Sequence, residues 1–289
     1  MRIKQQLFPK TIEECIALLV EHEGKARVLA GGTDLFLWLK EGKAQAETLV
    51  DISLIEELKH FESDDKRMIL GAALTHAEVA AHETVKSCFV ALADGCRNVG
   101  SPQIRNIGTL GGNIVSAQPA ADAVVPLVAM NAKCMIISAS GKRTEDIENL
   151  FKGVGKSSVD PSRELITEIY VSKPAGRYGT GYVRMAPRDA MALPVVNAAV
   201  MVVARDGTIT EARIVTSPVA VVPFRTKRAE SSLIGKHVDD LSALGAAAQL
   251  AEREAQPRDS KVRGSGEYRK SLVKDIVERA LIKAVEQIG

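Results

Sequence analysis

A short apolar strand that ends in two adjacent glycines constrains this sequence more than any other feature. Residues 28–35 read VLAGGTDL, so a strand delivers the chain directly into Gly31 and Gly32. Thr33 and Asp34 then stand where they can cap the helix that follows. With no Cβ in the way, backbone N–H groups at such a turn can approach a phosphate closely. Taken alone, such a turn between a strand and a helix is more often only a turn.

A second glycine-rich turn occurs later in the chain. Residues 104–114 read IRNIGTLGGNI, with three glycines in five residues and with Thr109 and Asn113 beside them. These two residues and Ser116 supply neutral hydrogen-bonding groups that add no charge to the site. Two such loops in one domain suit a pyrophosphate bound from both sides. Asp122 can accept hydrogen bonds from ribityl or ribose hydroxyls, or it can serve as the N-cap of the helix that follows.

Hydrophobic periodicity predicts a mixed order of helices and strands in the first part of the chain. Helices are predicted at residues 11–22, 35–40, 75–82 and 84–95, the first and third opened by capping boxes, and strands at 28–30, 48–52, 67–71, 133–138 and 165–171. Residues 98–122 are interpreted as a turn-rich region. The glycines and the proline of residues 172–181 predict a flexible linker, and the GRYGTG of residues 176–181 is interpreted as a turn.

The pattern changes after this linker. Apolar runs at residues 195–205 and 208–215 flank Asp206 and Gly207, a pair that suits the type I′ turn of a β-hairpin. Two amphipathic helices are predicted at residues 241–254 and 266–287. A hairpin sheet with helices beside it, placed after a mixed first part, indicates an α+β fold.

Composition and charge exclude several classes of protein. Among 289 residues, 38 are basic and 36 acidic, and this balance leaves no clustered excess of the kind that nucleic acid or an anionic membrane attracts. The first residues contain no apolar stretch typical of a secretory signal. The longest nearly apolar run, residues 192–204, is too short to span a bilayer. The sequence therefore predicts a cytoplasmic protein.

Residue spacing gives no metal site in this chain and no catalytic constellation. The four cysteines form no C-x-x-C pair, and the five histidines show no ligand spacing. Isolated thiols of this kind are expected to be buried as small apolar side chains. Neither glycine loop is the G-x-G-x-x-G of a Rossmann site. The GKS at residues 155–157 resembles the end of a P-loop, but Leu150 occupies the position that requires glycine.

Three motifs together resemble the FAD-binding subunits of the xanthine dehydrogenase and carbon monoxide dehydrogenase family. They are AGGTD at residues 30–34, QIRNIGTLGGN at 103–113 and PAAD at 119–122. LGAALT at residues 70–75 and ELI at 164–166 follow in the expected order, and the likeness extends over nearly the whole chain.

The resemblance implies a division into two domains. The first is a two-part FAD-binding domain of the vanillyl-alcohol-oxidase type at residues 1–173, with subdomains at roughly 1–53 and 54–173. A smaller domain of antiparallel sheet and helices follows at residues 178–289.

The resemblance also implies which residues bind FAD. The two glycine motifs would bind the pyrophosphate from opposite sides, Asp122 would bind the sugar-alcohol part of the flavin, and Leu165 would lie near the adenine. Tyr182 and Arg184 would lie beside the isoalloxazine ring, although a core aromatic and a surface charge are the respective alternatives. The residues implied near the pyrophosphate are Leu29, Ala30, Gly31, Gly32, Thr33, Asp34, Leu35, Thr109, Gly111, Gly112 and Asn113, with Ser116 beside them.

Some positions depart from the family pattern. Relatives of the animal xanthine oxidoreductases carry an aromatic residue where this chain has Val99, so stacking on the adenine by that side chain is not expected. The RDAMALP of residues 188–194 differs from the commoner Arg-x-x-Asp-x-Ala. The cysteine-rich insertion of benzoyl-CoA-type relatives is missing from the sequence.

The function that the resemblance implies is electron transfer. A molybdopterin subunit would hydroxylate the substrate, a small subunit with two [2Fe–2S] clusters would pass electrons on, and FAD on this chain would deliver them to NAD⁺, a quinone or dioxygen. The AGGTD form, in place of the AGGHS of carbon monoxide dehydrogenases, favours a xanthine dehydrogenase-type complex. The alternatives are a stand-alone flavin oxidoreductase and a scaffold subunit that has lost flavin.

Overall fold

The computed structural model describes residues 3–188 and 191–289, and its first part is a small parallel sheet. Its elements in chain order are β1 (Gln5–Leu7), α1 (Ile12–Glu21), β2 (Ala26–Leu29), α2 (Leu35–Lys40) and β3 (Thr48–Asp51). Strand β3 lies between β1 and β2 and pairs with both in parallel. The Thr11 hydroxyl caps α1 by accepting from the Glu14 N–H at 3.1 Å. The Glu14 carboxylate accepts from Lys10 instead of Thr11, so only half of the predicted capping box forms.

The second part is a five-stranded antiparallel sheet with helices packed on it. Its elements are β4 (Phe61–Ser63), β5 (Arg67–Gly71), α3 (His76–Ala81), α4 (Glu83–Cys88), α5 (Val90–Arg97), α6 (Pro102–Arg105), α7 (Leu110–Val115), α8 (Val124–Ala129), β6 (Lys133–Ser138), β7 (Gly141–Asp146), β8 (Phe151–Gly153), β9 (Lys156–Ser157) and β10 (Glu164–Ser172). The strand order is β4-β5-β10-β6-β7, and β8 pairs with β9 in a separate hairpin. The helix residues Leu92 and Leu127, and Phe89 between α4 and α5, are fully buried in one core with Met68 and Ile136 of this sheet.

The third part is a four-stranded antiparallel sheet covered by helices. Its elements are β11 (Arg177–Met185), β12 (Val196–Arg205), β13 (Thr208–Ser217), β14 (Phe224–Arg225), α9 (Lys227–Leu233), α10 (Leu241–Glu254) and α11 (Gly266–Val285). The strands follow one another in order across the sheet. Asp206 and Gly207 both have positive φ, at 50° and 74°, so the predicted hairpin turn is confirmed.

The α+β fold class predicted from the sequence is confirmed, but two local predictions are wrong. The helix predicted at residues 84–95 is two helices, α4 and α5, because Phe89 leaves the helical conformation with φ −137° and ψ 57°. The turn-rich region at residues 98–122 contains the short helices α6 and α7. Ser101 caps α6 and Thr109 caps α7, each with its side-chain hydroxyl.

The predicted flexible linker at residues 172–181 is also wrong, because strand β11 already starts at Arg177. Two of its three glycines, Gly179 and Gly181, are strand residues over which a helix packs closely. A Cβ at Gly179 would lie 1.9 Å from the carbonyl oxygen of Ala284, and a Cβ at Gly181 would lie 2.0 Å from that of Ala280. Glycine therefore allows the backbone of α11 to approach the sheet.

The third part shares its core with the second. Tyr182, Ala199 and Met201 of β11 and β12 lie in the core cluster of the five-stranded sheet. Their neighbours Val183, Ala198 and Val200 lie in the core cluster of α10 and α11. Strand β12 is thus buried on both faces, which explains why its sequence is a continuous apolar run without polar alternation.

The buried thiols agree with the prediction that the cysteines are small core residues. Cys15, Cys96 and Cys134 are fully buried, whereas Cys88 is partly exposed. Burial raises the pKa of the Cys15 and Cys134 thiols to about 12. Among the helices of the described residues, none is long and apolar enough to cross a membrane.

Candidate cofactor-binding cleft

A cleft of about 780 Å³ lies where residues 27–38 meet residues 99–122, with residues 155–166 forming another wall. Most of the side chains and backbone positions predicted from the sequence line it. These are Ala30, Gly31, Gly32, Thr33, Asp34, Leu35, Thr109, Gly111, Gly112, Asn113, Ser116, Asp122 and Leu165. The two glycine motifs, far apart in the chain, therefore face one cleft.

The two glycine loops touch each other at the cleft wall. A Cβ at Gly31 would lie 1.8 Å from the carbonyl oxygen of Ile107, so this position requires glycine. Gly32 has φ +70°, in the left-handed region that favours glycine. A Cβ at Gly112 would meet only the hydroxyl of Thr109, at 3.0 Å. The missing side chain of Gly112 thus leaves open space on the cleft side.

The loops differ in what their backbone N–H groups do. In the second loop, the Gly111 N–H donates to the carbonyl of Ala72 at 2.9 Å, and the Gly112 N–H donates to the Thr109 hydroxyl at 3.1 Å. In the first loop, the N–H groups of residues 31–34 have no acceptor among the described residues. The first loop therefore offers hydrogen-bond donors, whereas the second offers space and side chains.

Two buried polar atoms in the cleft wall also have no partner in the part of the chain that the structure describes. They are Nδ1 of His76 and Oδ1 of Asn113. Burial, and to a smaller extent the charge of Arg105, lower the pKa of His76 to about 4, so its ring is neutral at pH 7. Because an unpaired buried polar atom costs about 1–3 kcal/mol, both atoms indicate a cleft that a polar ligand or ordered water completes.

Asp34 faces the cleft and does not cap a helix, so the predicted capping role is wrong. It occupies the N-cap position of α2, yet its side chain makes no capping hydrogen bond. Burial raises the pKa of its carboxyl, and a hydrogen bond with Ser116 acts in the opposite direction. The two polar residues thus come from the two different loops and meet within the cleft.

The carboxylate of Asp122 is bound by three side chains of the third part of the chain. The Tyr182 hydroxyl donates to its Oδ1, Asn197 Nδ2 donates to the same oxygen at 3.3 Å, and Arg184 Nη1 lies 3.4 Å from Oδ2. Burial raises the pKa of Asp122 to about 6, although all three neighbours act to lower it. The N-cap of α8 is Ala123, so the alternative role of Asp122 as a helix cap is wrong.

Three of the predicted residues lie behind the cleft wall. Leu29 is buried in a small core beside β2. Tyr182 and Arg184 lie behind Asp122 and do not line the cleft themselves. Arg184 also donates to the carbonyls of Asn98 and Ala192, so it is neither a surface charge nor part of the lining.

Other lining residues were not found by sequence reasoning. The segment at residues 155–161 contributes Gly155 and Lys156, and the third part contributes Met191, Leu193 and Arg263. Lys156 and Ser157 of the GKS form the two-residue strand β9, and no helix follows them, so the rejection of a P-loop agrees with the structure. His76 was passed over because no ligand spacing includes it. No sequence signal indicated its place, because the bridge between its neighbour Thr75 and Thr109 joins segments that are far apart in the chain.

No group of three or more His, Cys, Asp or Glu side chains within residues 3–188 and 191–289 is arranged to hold a metal ion. The charged side chains that line the cleft are instead dispersed along it. They are Arg27, Asp34, Asp122, Lys156, Asp160, Glu164 and Arg263.

Comparison with protein-family models matches nearly the full chain to two families. Residues 3–174 match the FAD binding domain in molybdopterin dehydrogenase. Residues 181–284 match the CO dehydrogenase flavoprotein C-terminal domain. Both glycine loops and most of the cleft lining lie in the first match, whereas Tyr182, Arg184 and Asn197 lie in the second, as do the lining residues Met191, Leu193 and Arg263.

Individual relatives cover the chain from end to end. The nicotinate dehydrogenase FAD-subunit of Eubacterium barkeri is 26% identical, over 97% of this chain and 95% of that protein. The xanthine dehydrogenase FAD-binding subunit of Escherichia coli O157:H7 is 28% identical, over 96% and 95%. Among solved structures, carbon monoxide dehydrogenase from Hydrogenophaga pseudoflava matches with a TM-score of 0.91 and 28% identity, covering 100% of this chain and 99% of that one.

Proposed function

The chain belongs to the family of FAD-binding subunits of molybdenum hydroxylases, and we propose that it relays electrons from the [2Fe–2S] clusters of a partner subunit through FAD to NAD⁺. Substrate oxidation would take place at a molybdopterin centre on a further partner subunit. The observation that carries the proposal is the meeting of both glycine loops in one cleft, where the first loop leaves its N–H groups free.

The residues of the cleft fit FAD. The free N–H groups of residues 31–34 are donors for a pyrophosphate. Because Gly112 has no Cβ, space is left beside it for a ligand. The unpaired polar atoms of His76 and Asn113 lie in the same wall of the cleft. A cleft of about 780 Å³ is within the range of roughly 300–1,000 Å³ found for small-molecule sites.

Each predicted residue takes a role according to its place in the cleft. The first loop would donate hydrogen bonds to the pyrophosphate, and the second would allow it to approach closely. Asp122 would accept from a sugar hydroxyl, since its carboxylate is buried and faces the cleft. Leu165, 3% exposed, would provide an apolar contact for the adenine. Tyr182 and Arg184 would act through Asp122 by orienting its carboxylate.

Bound FAD would supply the redox chemistry, while this chain binds it, orients it and excludes water from part of it. The relatives include both xanthine and nicotinate dehydrogenase subunits, so similarity alone does not select a substrate. We favour a xanthine dehydrogenase-type complex that uses NAD⁺, because residues 30–34 have the AGGTD form. A cytoplasmic location stays a prediction from the sequence.

The first experiment is to purify the chain, record its absorption spectrum and identify any released chromophore by chromatography. We expect FAD at close to one per chain, with no iron. A colourless protein that also fails to bind added FAD would contradict the proposal and favour the scaffold alternative.

The second experiment tests the electron path in the assembled complex. We expect reduction of NAD⁺ by xanthine or hypoxanthine only when the molybdopterin and iron–sulfur subunits are present. Substrate oxidation by the FAD-loaded chain alone would instead identify a stand-alone flavin oxidoreductase. Activity of the complex with a quinone or dioxygen, but not with NAD⁺, would correct the acceptor and leave the relay intact.

A further inference from the structure

His76 lies where the two glycine loops meet. Its backbone N–H donates to the carbonyl of Gly108 at 3.0 Å. Its ring carbon Cδ2 is 3.5 Å from the point that a Cβ on Gly108 would occupy. The hydroxyl of Thr33, in the first loop, is 3.6 Å from the same point. The imidazole is therefore placed between the two loops and lines the cleft that they form.

The ring of His76 is buried and incompletely hydrogen-bonded. The residue is 2% exposed, and its Nδ1 has no partner among the described residues. A buried imidazole with an unpaired nitrogen destabilises the fold unless something in the cleft compensates for it. The second observation is thus an unsatisfied, nearly inaccessible imidazole in the wall where the two glycine loops meet.

The charges around His76 do not supply that compensation in the free protein. Arg105 of α6 disfavours a positive ring. Glu78 of α3 bonds to Thr75, and on α5 Arg97 forms an ion pair with Asp94. Of the cations that line the cleft, Arg27 lies in β2 just before the first loop, whereas Lys156 and Arg263 belong to other walls.

We infer that His76 is the proton-linked binding residue for the pyrophosphate: it takes up a proton as FAD binds and provides a positive charge where the two loops meet. An anion placed beside an imidazole favours its charged form. The inference rests on the proposed function, since it requires that FAD occupy the cleft. It adds that one identified side chain couples FAD affinity to pH.

The protonation state of His76 in the FAD-free protein determines whether FAD affinity increases or decreases with pH. His76 is neutral there above pH about 4, because burial lowers its pKa. If the bound pyrophosphate raises that pKa, FAD binds most tightly at low pH, and the Kd increases by up to about tenfold per pH unit between the two pKa values. Asp34 and Asp122 have raised pKa values in the same cleft, so losing their protons to bind FAD would act in the opposite direction.

Isothermal titration calorimetry of FAD into the FAD-free full chain tests the inference. Titrations at pH 6.5 in PIPES and in imidazole, which both buffer at this pH and differ in ionisation enthalpy, give the number of protons exchanged on binding. We expect His76→Gln, which preserves hydrogen-bonding atoms but does not titrate, to take up fewer protons than the natural chain and to show a flatter dependence of Kd on pH. His82→Gln is the matched control, because His82 stacks on Phe61 outside the cleft and should leave the proton count unchanged.

Equal proton counts for the natural chain and His76→Gln would overturn the inference while leaving FAD binding itself intact. Failure of the natural chain to bind FAD would instead contradict the proposed function. If His76→Gln does not fold, ¹³C NMR of the five histidine rings in the natural chain decides, with signals assigned from variants of the other four. A His76 ring that stays neutral in the FAD complex at pH 6.5 would also overturn the inference.

Discussion

The cleft loops and strand β11 are both glycine-rich, and the missing glycine side chain has a different consequence in each region. At Gly112 the missing side chain leaves space that faces the cleft. At Gly179 and Gly181 the space of the missing side chain is occupied by backbone atoms of helix α11, which lie 1.9 and 2.0 Å from where a Cβ would be. One region is open to a ligand, whereas the other is closed by the protein itself.

The comparison teaches that the spacing of glycines does not reveal what occupies the place of the missing Cβ. Gly31, inside the cleft, resembles the strand glycines in this respect, because a carbonyl of the second loop fills its space. A local sequence contains the glycines but not the distant segment that packs on them. Substitutions therefore separate the two uses by what each one damages, either the fold or the affinity for FAD.

The largest effect is expected for Gly181→Ala. The new Cβ would overlap the carbonyl oxygen of Ala280, a backbone atom that cannot rotate away, so helix α11 must shift. We expect a loss of about 3 kcal/mol in the free energy of unfolding, as is typical when a close-packed core is overfilled. Urea unfolding followed by circular dichroism measures it.

Gly245→Ala is the control for that prediction. Gly245 lies inside helix α10, and its added Cβ would meet only the carboxylate end of the Glu278 side chain, at 3.2 Å. We expect a stability equal to that of the natural chain or up to about 1 kcal/mol higher, because alanine favours the helix. A similar loss in both variants would mean that close backbone packing is not what β11 requires.

Asp122 joins the two regions, because it lines the cleft and contacts Tyr182 and Arg184 of β11. The next largest effect concerns the protonation of its carboxyl group. Burial raises its pKa from an ordinary 3.8 to about 6, so the folded state binds this proton more tightly than the unfolded state. The resulting stability is complete below pH about 4 and is lost as the pH rises through 6. Asp122→Asn does not titrate, and we expect its stability relative to the natural chain to rise by up to about 2 kcal/mol from pH 4 to pH 7.

Chemical unfolding of the FAD-free natural chain and Asp122→Asn at several pH values measures this difference. A constant difference from pH 4 to pH 7 would show that the carboxylate is solvated in the folded protein. Tyr182→Phe is a useful companion, because it removes one donor to Asp122 while leaving the carboxyl group. We expect it to increase the pH dependence, since the charged form loses a hydrogen bond.

Short sequence patterns predicted much of the secondary structure. Contacts between segments that are far apart in the chain could not be predicted from such patterns. The β12–β13 hairpin was predictable because Asp206 and Gly207 determine the turn by themselves. The strand role of residues 177–181 was not, since the helix that requires those glycines begins at Gly266. In the site, the glycine loops have recognisable motifs, but His76 reaches the cleft only because Thr75 pairs with Thr109 in the folded chain.

A smaller effect, and one confined to binding, is expected for Gly112→Ala. The methyl group would project into the cleft and meet only the Thr109 hydroxyl in the protein, at 3.0 Å. We expect the free energy of unfolding to stay within about 1 kcal/mol of the natural value, because alanine is favourable within α7. The Kd for FAD should increase by about tenfold, which corresponds to about 1.4 kcal/mol. A large loss of stability with unchanged affinity would place Gly112 with the strand glycines.

The smallest effect is expected for two threonines that have the same structural role, of which only one lies at the cleft. The hydroxyls of Thr11 and Thr109 each accept from the N–H three residues ahead at 3.1 Å, so each caps a helix. Thr11→Ala and Thr109→Ala should both cost about 1 kcal/mol of stability. Only Thr109 lines the cleft, and its substitution also frees the N–H of Gly112. We therefore expect FAD titration by fluorescence to show a changed Kd for Thr109→Ala alone; equal Kd values in both variants would mean that the cap of α7 matters to the fold and not to the cofactor.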